Sequence, residues 1–199
     1  MSKKNDKNTK GKIITAAWDL FYEQGYDNTT VEEIIEKSGT SKGSFYHYFE
    51  GKDALLGSLS YIFDEEYLKL QESFPENMSS FDKLLYLNYS LFCVIEDRID
   101  IELLTRLYST QLITKGEKHL LDNKRMYYKL LKKIVSEGQK NKEITEKMTV
   151  SEIVKLYATC ERALIYDWCL CNGEYSLSSY AKRVLPMFLS EIRIVNKDI

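Results

Sequence analysis

Proline and histidine are nearly missing from this 199-residue chain: there are two of each, and only nine glycines. So few breakers exclude a fold of many short strands and favour long helices. Four cysteines (Cys93, Cys160, Cys169, Cys171) in a chain of this length do not make a disulfide framework. The Cys169-Leu170-Cys171 pair lacks the spacing of a zinc site, and no second pair follows. No run approaches 18 apolar residues, so no membrane span is expected. The polar start, Met1 to Lys7, does not read as a secretory signal. There is no G-x-S-x-G, P-loop or dinucleotide fingerprint, and His119 has no catalytic neighbourhood, so neither an enzyme nor a cofactor is expected. Excess positive charge is also lacking. With 28 basic and 30 acidic residues the formal charge is −2, which gives nucleic-acid binding no support from net charge.

What is present is enough to fold. Apolar residues make up 44% and charged residues 29%, a composition that buries a core and fits one domain or two small ones. A cytoplasmic, all-helical protein is the expectation. Charge is unevenly placed: residues 1–12 carry a net +4 through Lys3, Lys4, Lys7, Lys10 and Lys12, and residues 13–52 a net −4. Any DNA binding must therefore use a local basic arm and a few placed groups. The arm either lies free or reaches a flanking minor groove, as homeodomain arms do.

Ile13, Ala17, Leu20 and Phe21 share one helical face, and Gly25 suits its C-terminal cap. Thr30-Val31-Glu32-Glu33 fits a capping box that opens a second helix with Val31, Ile34 and Ile35 inward, and Gly39 ends it. Ser41 can cap a very short third helix in which Phe45, Tyr48 and Phe49 pack inward and Lys42, Ser44, Tyr46 and His47 face out. Gly51 precedes a long fourth helix, 52 to about 73, with Leu55, Leu56, Leu59, Ile62, Phe63 and Leu70 as its stripe. Helix, glycine turn, short helix is helix-turn-helix geometry. Further helices are expected over Phe81–Ile95, Leu103–Leu112 (with Gly116 interrupting after it), Leu120–Asn141 and Thr149 to Cys171. Thr149 to Glu152 forms a second capping box. A last helix, Ser178–Val195, should carry Val184, Leu185, Phe188, Leu189 and Ile192 inward and kink at Pro186.

From residue 10 to 57 the residue types, glycine positions and element lengths together closely resemble the TetR family of bacterial transcriptional regulators. The resemblance is carried by Ile13 to Ala17, Leu20-Phe21, Gly25-Tyr26, Thr29 to Val31, Ile34-Ile35, Gly39 to Phe49 and Lys52 to Leu55. It implies an all-α chain. Residues 1–52 would hold the arm and a three-helix helix-turn-helix domain. Residues 53–199 would form a helical ligand-binding and dimerisation domain. It implies a homodimer, paired through the last two helices, on a double-stranded, pseudo-palindromic operator, repressing until a small molecule releases it. On this resemblance the DNA-contacting residues are Thr30, Thr40, Ser41, Lys42, Gly43, Ser44, Tyr46, His47 and Lys52. Lys42 would reach a phosphate or a guanine edge, Gly43 would admit the backbone close to the duplex, and Thr40 would touch a thymine methyl. Thr30 and Lys52, at helix starts, would anchor phosphates.

The second domain is rich in aromatics, and tyrosine offers apolar walls with a polar tip. A pocket is expected from Tyr89, Phe92, Cys93, Leu107, Tyr108, Tyr128 and Trp168. Glu96, Glu161 and Asp167 stand near apolar stretches, where surface pairing is expected over contact with a cationic ligand. Two other functions remain open: a thiol-redox regulator using the cysteines, and a DNA-binding protein with no effector.

Overall fold

The computed structural model describes residues 2–113, 115 and 118–194, and the fold is all-helical. By internal contacts it divides into two units, residues 1–60 with 106–120, and residues 61–105 with 121–199.

In the first unit, α1 runs Ser2–Gln24, and its inward residues Ile13, Ala17, Leu20 and Phe21 are all buried. The residues expected as an arm are thus the opening turns of α1. Gly25 follows in the left-handed region (φ 84°), where a side chain would be strained. Helix α2 is Val31–Ser38, with both halves of the Thr30–Glu33 capping box formed and a left-handed Gly39 closing it. Helix α3 is Lys42–Tyr48, capped by the Ser41 hydroxyl on the Ser44 amide. Phe45 and Phe49 are buried and Tyr48 half-buried.

The long fourth helix is in fact two, α4 (Lys52–Leu56) and α5 (Leu59–Glu72). Ser58 causes the break. Its amide and its hydroxyl both donate to the Leu55 carbonyl, at 2.9 and 2.5 Å, and its hydroxyl accepts the Trp18 indole N–H at 2.7 Å. The local bond displaces the regular ladder. Leu55, Leu56, Leu59 and Phe63 are buried as expected; the side chain of Ile62 lies outside the described set.

In the second unit, α6 (Ser80–Arg98) packs most extensively on α10 (Leu177–Phe188), and α8 (Met126–Lys140) on α6 and α9 (Val150–Leu170). Helix α7 (Ile101–Ile113), of which residues 101–105 belong to this unit and residues 106–113 to the first, is opened by the Asp100 carboxylate on the Glu102 amide. Gly116 lies outside the described residues. The helix expected from Leu120 starts only at Met126. Residues 119–121 make a single 3-10 turn, and the Asp122 carboxylate holds the Lys124 amide at 2.9 Å in a local turn that competes with helix.

The last helix stops at Phe188 rather than near Val195, which lies outside the described residues. It tolerates Pro186 in its final turn, and the chain beyond pairs antiparallel with residues 143–145: Thr145 donates to Ile192 and Ile194 to Glu143. Phe188, expected inward, is exposed. Gly138 lets α8 lie close against Ser80 and Ile144. A Cβ there would lie 2.7 Å from both Ser80 Cβ and Ile144 Cδ1. Gly138→Ala should therefore destabilise by about 1–3 kcal/mol despite alanine's better helix propensity, read as a shift in urea midpoint.

Candidate functional site

Helix α3 is held by one side and open on the other. Phe45 is fully buried, with the Phe49 ring 5.8 Å from its own, so the helix cannot rotate without unpacking the core. That packing leaves Lys42, Gly43, Tyr46 and His47 exposed on the opposite side. Lys42 Nζ reaches Glu32 at 3.5 Å, but both side chains are about 70% exposed, so the pair is weak and easily exchanged for another anion. A Cβ on Gly43 would meet nothing closer than Ser41 Oγ at 3.9 Å, and its φ is ordinary. Nothing inside the protein requires a glycine there, which suits close approach of an external backbone. Ser44 is half-buried and shares a 2.9 Å hydrogen bond with Ser41. Thr40 is half-buried with its hydroxyl on Ser38 at 2.8 Å.

The two helix-start residues are differently engaged. The Thr30 hydroxyl donates to Glu33 Oε2 at 2.7 Å and accepts the Glu33 amide at 3.2 Å. The Thr30 amide, donating to the same carboxylate, and the hydroxyl hold the Glu33 carboxyl below the usual range. The single hydroxyl proton is thus committed to the cap. Lys52 Nζ donates to the carbonyls of Tyr26 (2.6 Å) and Thr29 (2.7 Å) and sits 4.2 Å from the Tyr26 ring centre. It ties the α1–α2 turn to the start of α4. Tyr26 also donates to Asp53, and burial with that carboxylate pushes its hydroxyl well up. The residues brought together with an open face are therefore Lys42, Gly43, Tyr46 and His47, with Ser41 and Ser44 at the helix start.

Of the residues expected to line a pocket, Leu107 and Tyr108 are grouped with the first unit and the rest with the second. In the second, Phe92 is fully buried, Tyr128 accepts Arg162 Nη1 at 3.3 Å, and Trp168 donates to the Tyr175 carbonyl at 2.8 Å. Tyr89 lines a cleft of about 370 Å³ between α6 and α10, with Leu85 and Asn88 opposite Ala181, Lys182 and Leu185. The Lys182 ammonium stands 5.0 Å from its ring. Cys93, one turn on from Tyr89, raises that phenol through a hydrogen bond.

Sequence reasoning missed the polar centre of this unit. Glu161, expected at the surface, is 4% exposed. Its carboxylate accepts Asn88 Nδ2 at 3.0 Å and the Tyr127 hydroxyl at 2.5 Å, joining α6, α8 and α9. Burial raises its proton affinity, and the Tyr127 and Asn88 bonds only partly offset this. Folded Glu161 thus holds its proton more tightly than the unfolded chain does. Its stabilising contribution is complete below the ordinary glutamate value and is lost as pH rises through the raised one. Glu161→Gln should flatten the fall in stability over that window, read as urea midpoints across a pH series; an identical slope in both proteins contradicts the assignment. Glu96 instead caps α10 through the Ser178 amide at 3.2 Å, and Asp167 accepts the Tyr175 hydroxyl at 2.9 Å. The exposed face of α9 and α10 carries Tyr166, Leu170, Tyr180, Met187 and Phe188.

Among the described residues no helix is long and apolar enough to cross a membrane. The sequence profile of bacterial regulatory proteins of the tetR family matches residues 13–59. The HTH-type transcriptional regulator QacR of Staphylococcus aureus (strain Mu50) is 33% identical over 156 residues, 73% of this chain and 80% of its own. The fatty acid metabolism regulator protein of Bacillus subtilis (strain 168) is 23% identical over 182 residues, 91% of this chain and 94% of its own. The crystal structure of Thermus thermophilus FadR, a TetR-family repressor in complex with lauroyl-CoA, has the same fold. Its TM-score is 0.75 at 17% identity, over 95% of this chain and 97% of that one. A profile match over the head and a regulator 33% identical over four fifths of its length lead to one conclusion: the chain belongs to the TetR family of bacterial transcriptional regulators.

Proposed function

We propose that this chain is a ligand-responsive repressor that works in the cytoplasm as a homodimer on a pseudo-palindromic operator. Residues 1–52 read DNA and residues 53–199 bind effector and partner, with the segment from 52 to about 73 connecting them. The observation that carries the reading is the open face of α3, where Lys42, Gly43, Tyr46 and His47 stand exposed on a helix whose other side is core. Lys42 contacts a phosphate or guanine, and Tyr46 and His47 contact phosphate and base. Thr30 and Lys52 are tied to their own turns and position the head; to anchor a phosphate each must share its present partner.

The apolar stripe of Tyr166 and Leu170 on α9 with Tyr180 and Met187 on α10 supports pairing with a second copy as a four-helix interface. Two heads then reach successive major grooves roughly 34–36 Å apart. The effector is an amphiphile with a long apolar chain. Support comes from the regulator of fatty acid metabolism in Bacillus subtilis and from the lauroyl-CoA bound to the Thermus thermophilus repressor. A thiol switch is less well supported, because burial pushes the Cys160 and Cys169 thiols up, away from the reactive thiolate.

Footprinting on DNA upstream of the protein's own gene tests this. Two protected half-sites one helical turn apart are expected, with protection lost on adding lauroyl-CoA. A single protected half-site contradicts the dimer, and protection indifferent to long-chain acyl-CoA contradicts the effector class.

A further inference from the structure

The cleft of about 370 Å³ between α6 and α10 has the size of a small-ligand site. Leu85 and Tyr86 on α6 face Leu185 and Pro186 on α10, so its walls are mostly apolar. The tyrosines on the α6 side present rings rather than hydroxyls. Each hydroxyl is engaged by a residue that does not line the cleft: Tyr86 by Ser73 at 3.2 Å, and Tyr89 by Cys93 one turn on. Pro186, in the final turn of α10, adds another flat ring.

A single kind of charge enters this surface. The Lys182 ammonium stands 5.0 Å from the centre of the Tyr89 ring. No carboxylate lines the cleft, and among the described residues Lys182 makes no ion pair. A cation beside apolar and aromatic walls suits an anion carried on an apolar body. The cleft is short. Leu85 to Tyr89 rises about 6 Å and Ala181 to Pro186 about 7.5 Å at 1.5 Å per residue, a length that takes fused rings and that an extended acyl chain overruns. Around α10, Lys182, Leu185 and Pro186 centre roughly 160° from Tyr180 and Met187. A partner seated on the stripe of Tyr180 and Met187 therefore does not fill the cleft.

We propose that this cleft binds a compact aromatic carboxylate, its rings held between Leu85, Tyr86, Leu185 and Pro186 and its carboxylate on Lys182. It is a second ligand site, separate from that of the long-chain effector, and it does not rest on the reading of α3. Charge complementarity and the length of the cleft carry it. Asn88 gives occupancy a consequence. This buried side chain lines the cleft, and its amide donates at 3.0 Å to Glu161, the carboxylate that joins α6 to α8 and α9. A bound ring thus meets a residue that ties three helices together.

Calorimetric titration of the full-length protein with naphthoate tests this without DNA. One saturable site per chain is expected. Lys182→Gln should weaken binding about tenfold, the lower end for a hydrogen bond to a charged group, because the lysine is exposed. Lys182→Arg, which keeps the charge, should restore most of the affinity. Leu85→Trp should fill the cleft and abolish binding, and Lys129→Gln, at an exposed lysine of α8, should change nothing. Urea midpoints show whether each variant keeps its fold; if Leu85→Trp does not, the Lys182 pair decides alone. Naphthylmethanol, the uncharged counterpart, should bind about tenfold more weakly than naphthoate. Decanoate, an extended chain with the same carboxylate, should also bind more weakly. The proposal is overturned by no saturable binding, by binding indifferent to Lys182→Gln, or by the alcohol or decanoate binding as tightly as naphthoate. Saturating lauroyl-CoA should leave the naphthoate affinity unchanged. Displacement would put both at one site and overturn the separate site, whereas failure of lauroyl-CoA to bind at all defeats the effector reading alone.

Discussion

Arg125→Ala is expected to destabilise the second unit by about 3–5 kcal/mol, because it leaves a buried carboxylate without its cation. Asp64 on α5 and Arg125 at the start of α8 have side chains only 13% and 7% exposed. The guanidinium holds both carboxylate oxygens, Nη2 to Oδ1 at 2.9 Å and Nε to Oδ2 at 3.4 Å. The same carboxylate accepts the Met126 and Tyr127 amides at 3.1 and 3.3 Å, so it caps α8 from another helix. Those amides and the helix dipole remain in the variant and place the loss toward the lower end of the range. Arg125→Lys keeps the charge but loses the two-pronged geometry and should fall between. Urea unfolding measures this directly: the midpoint should drop with the slope unchanged. A loss below about 1 kcal/mol would mean that the pair is open to water and behaves as a surface bridge.

Adjacent residues of α3 should fail in opposite ways. Phe45 is fully buried, and Phe45→Ala should cost about 3–5 kcal/mol and loosen the whole reading head. Tyr46 is half-exposed, its ring edge-on to Phe45 at 5.3 Å. Tyr46→Ala should change stability by less than about 1 kcal/mol. Its effect falls on DNA: about 1–3 kcal/mol per protomer, counted twice in a dimer, or about 30-fold and more in affinity. Thermal melts and DNA titrations on the two variants separate these outcomes. Equal stability losses would place Tyr46 in the core and remove it from the reading face.

The head was legible in the sequence because its determinants are local. The Thr30–Glu33 and Thr149–Glu152 boxes lie within one helical turn, and both formed as their spacing implies. The inward set Ile13, Ala17, Leu20, Phe21, Phe45 and Phe49 follows from 3.6-residue periodicity, and each of these residues is buried. What escaped depends on partners distant in sequence. Ser58 breaks the fourth helix through Trp18, forty residues away. Asp64 decides where α8 starts from 62 residues upstream of Met126. Glu161 reads as a surface acid because periodicity cannot show that Asn88 and Tyr127 wait inside to receive it. Lys52, expected from the resemblance to anchor a phosphate, is also held by two carbonyls of an earlier turn, which its position at a helix start does not reveal.

The most direct test of the central claim is a fluorescence-anisotropy titration of DNA from upstream of the protein's own gene against a random duplex, at two salt concentrations, with Tyr46→Ala and Lys42→Ala alongside. The account predicts saturable binding tighter on the upstream DNA, weakened by salt, with the preference lost in Tyr46→Ala and affinity reduced in Lys42→Ala. Binding no tighter than to random DNA, or indifferent to both substitutions, would contradict the assignment of α3 as the reading helix.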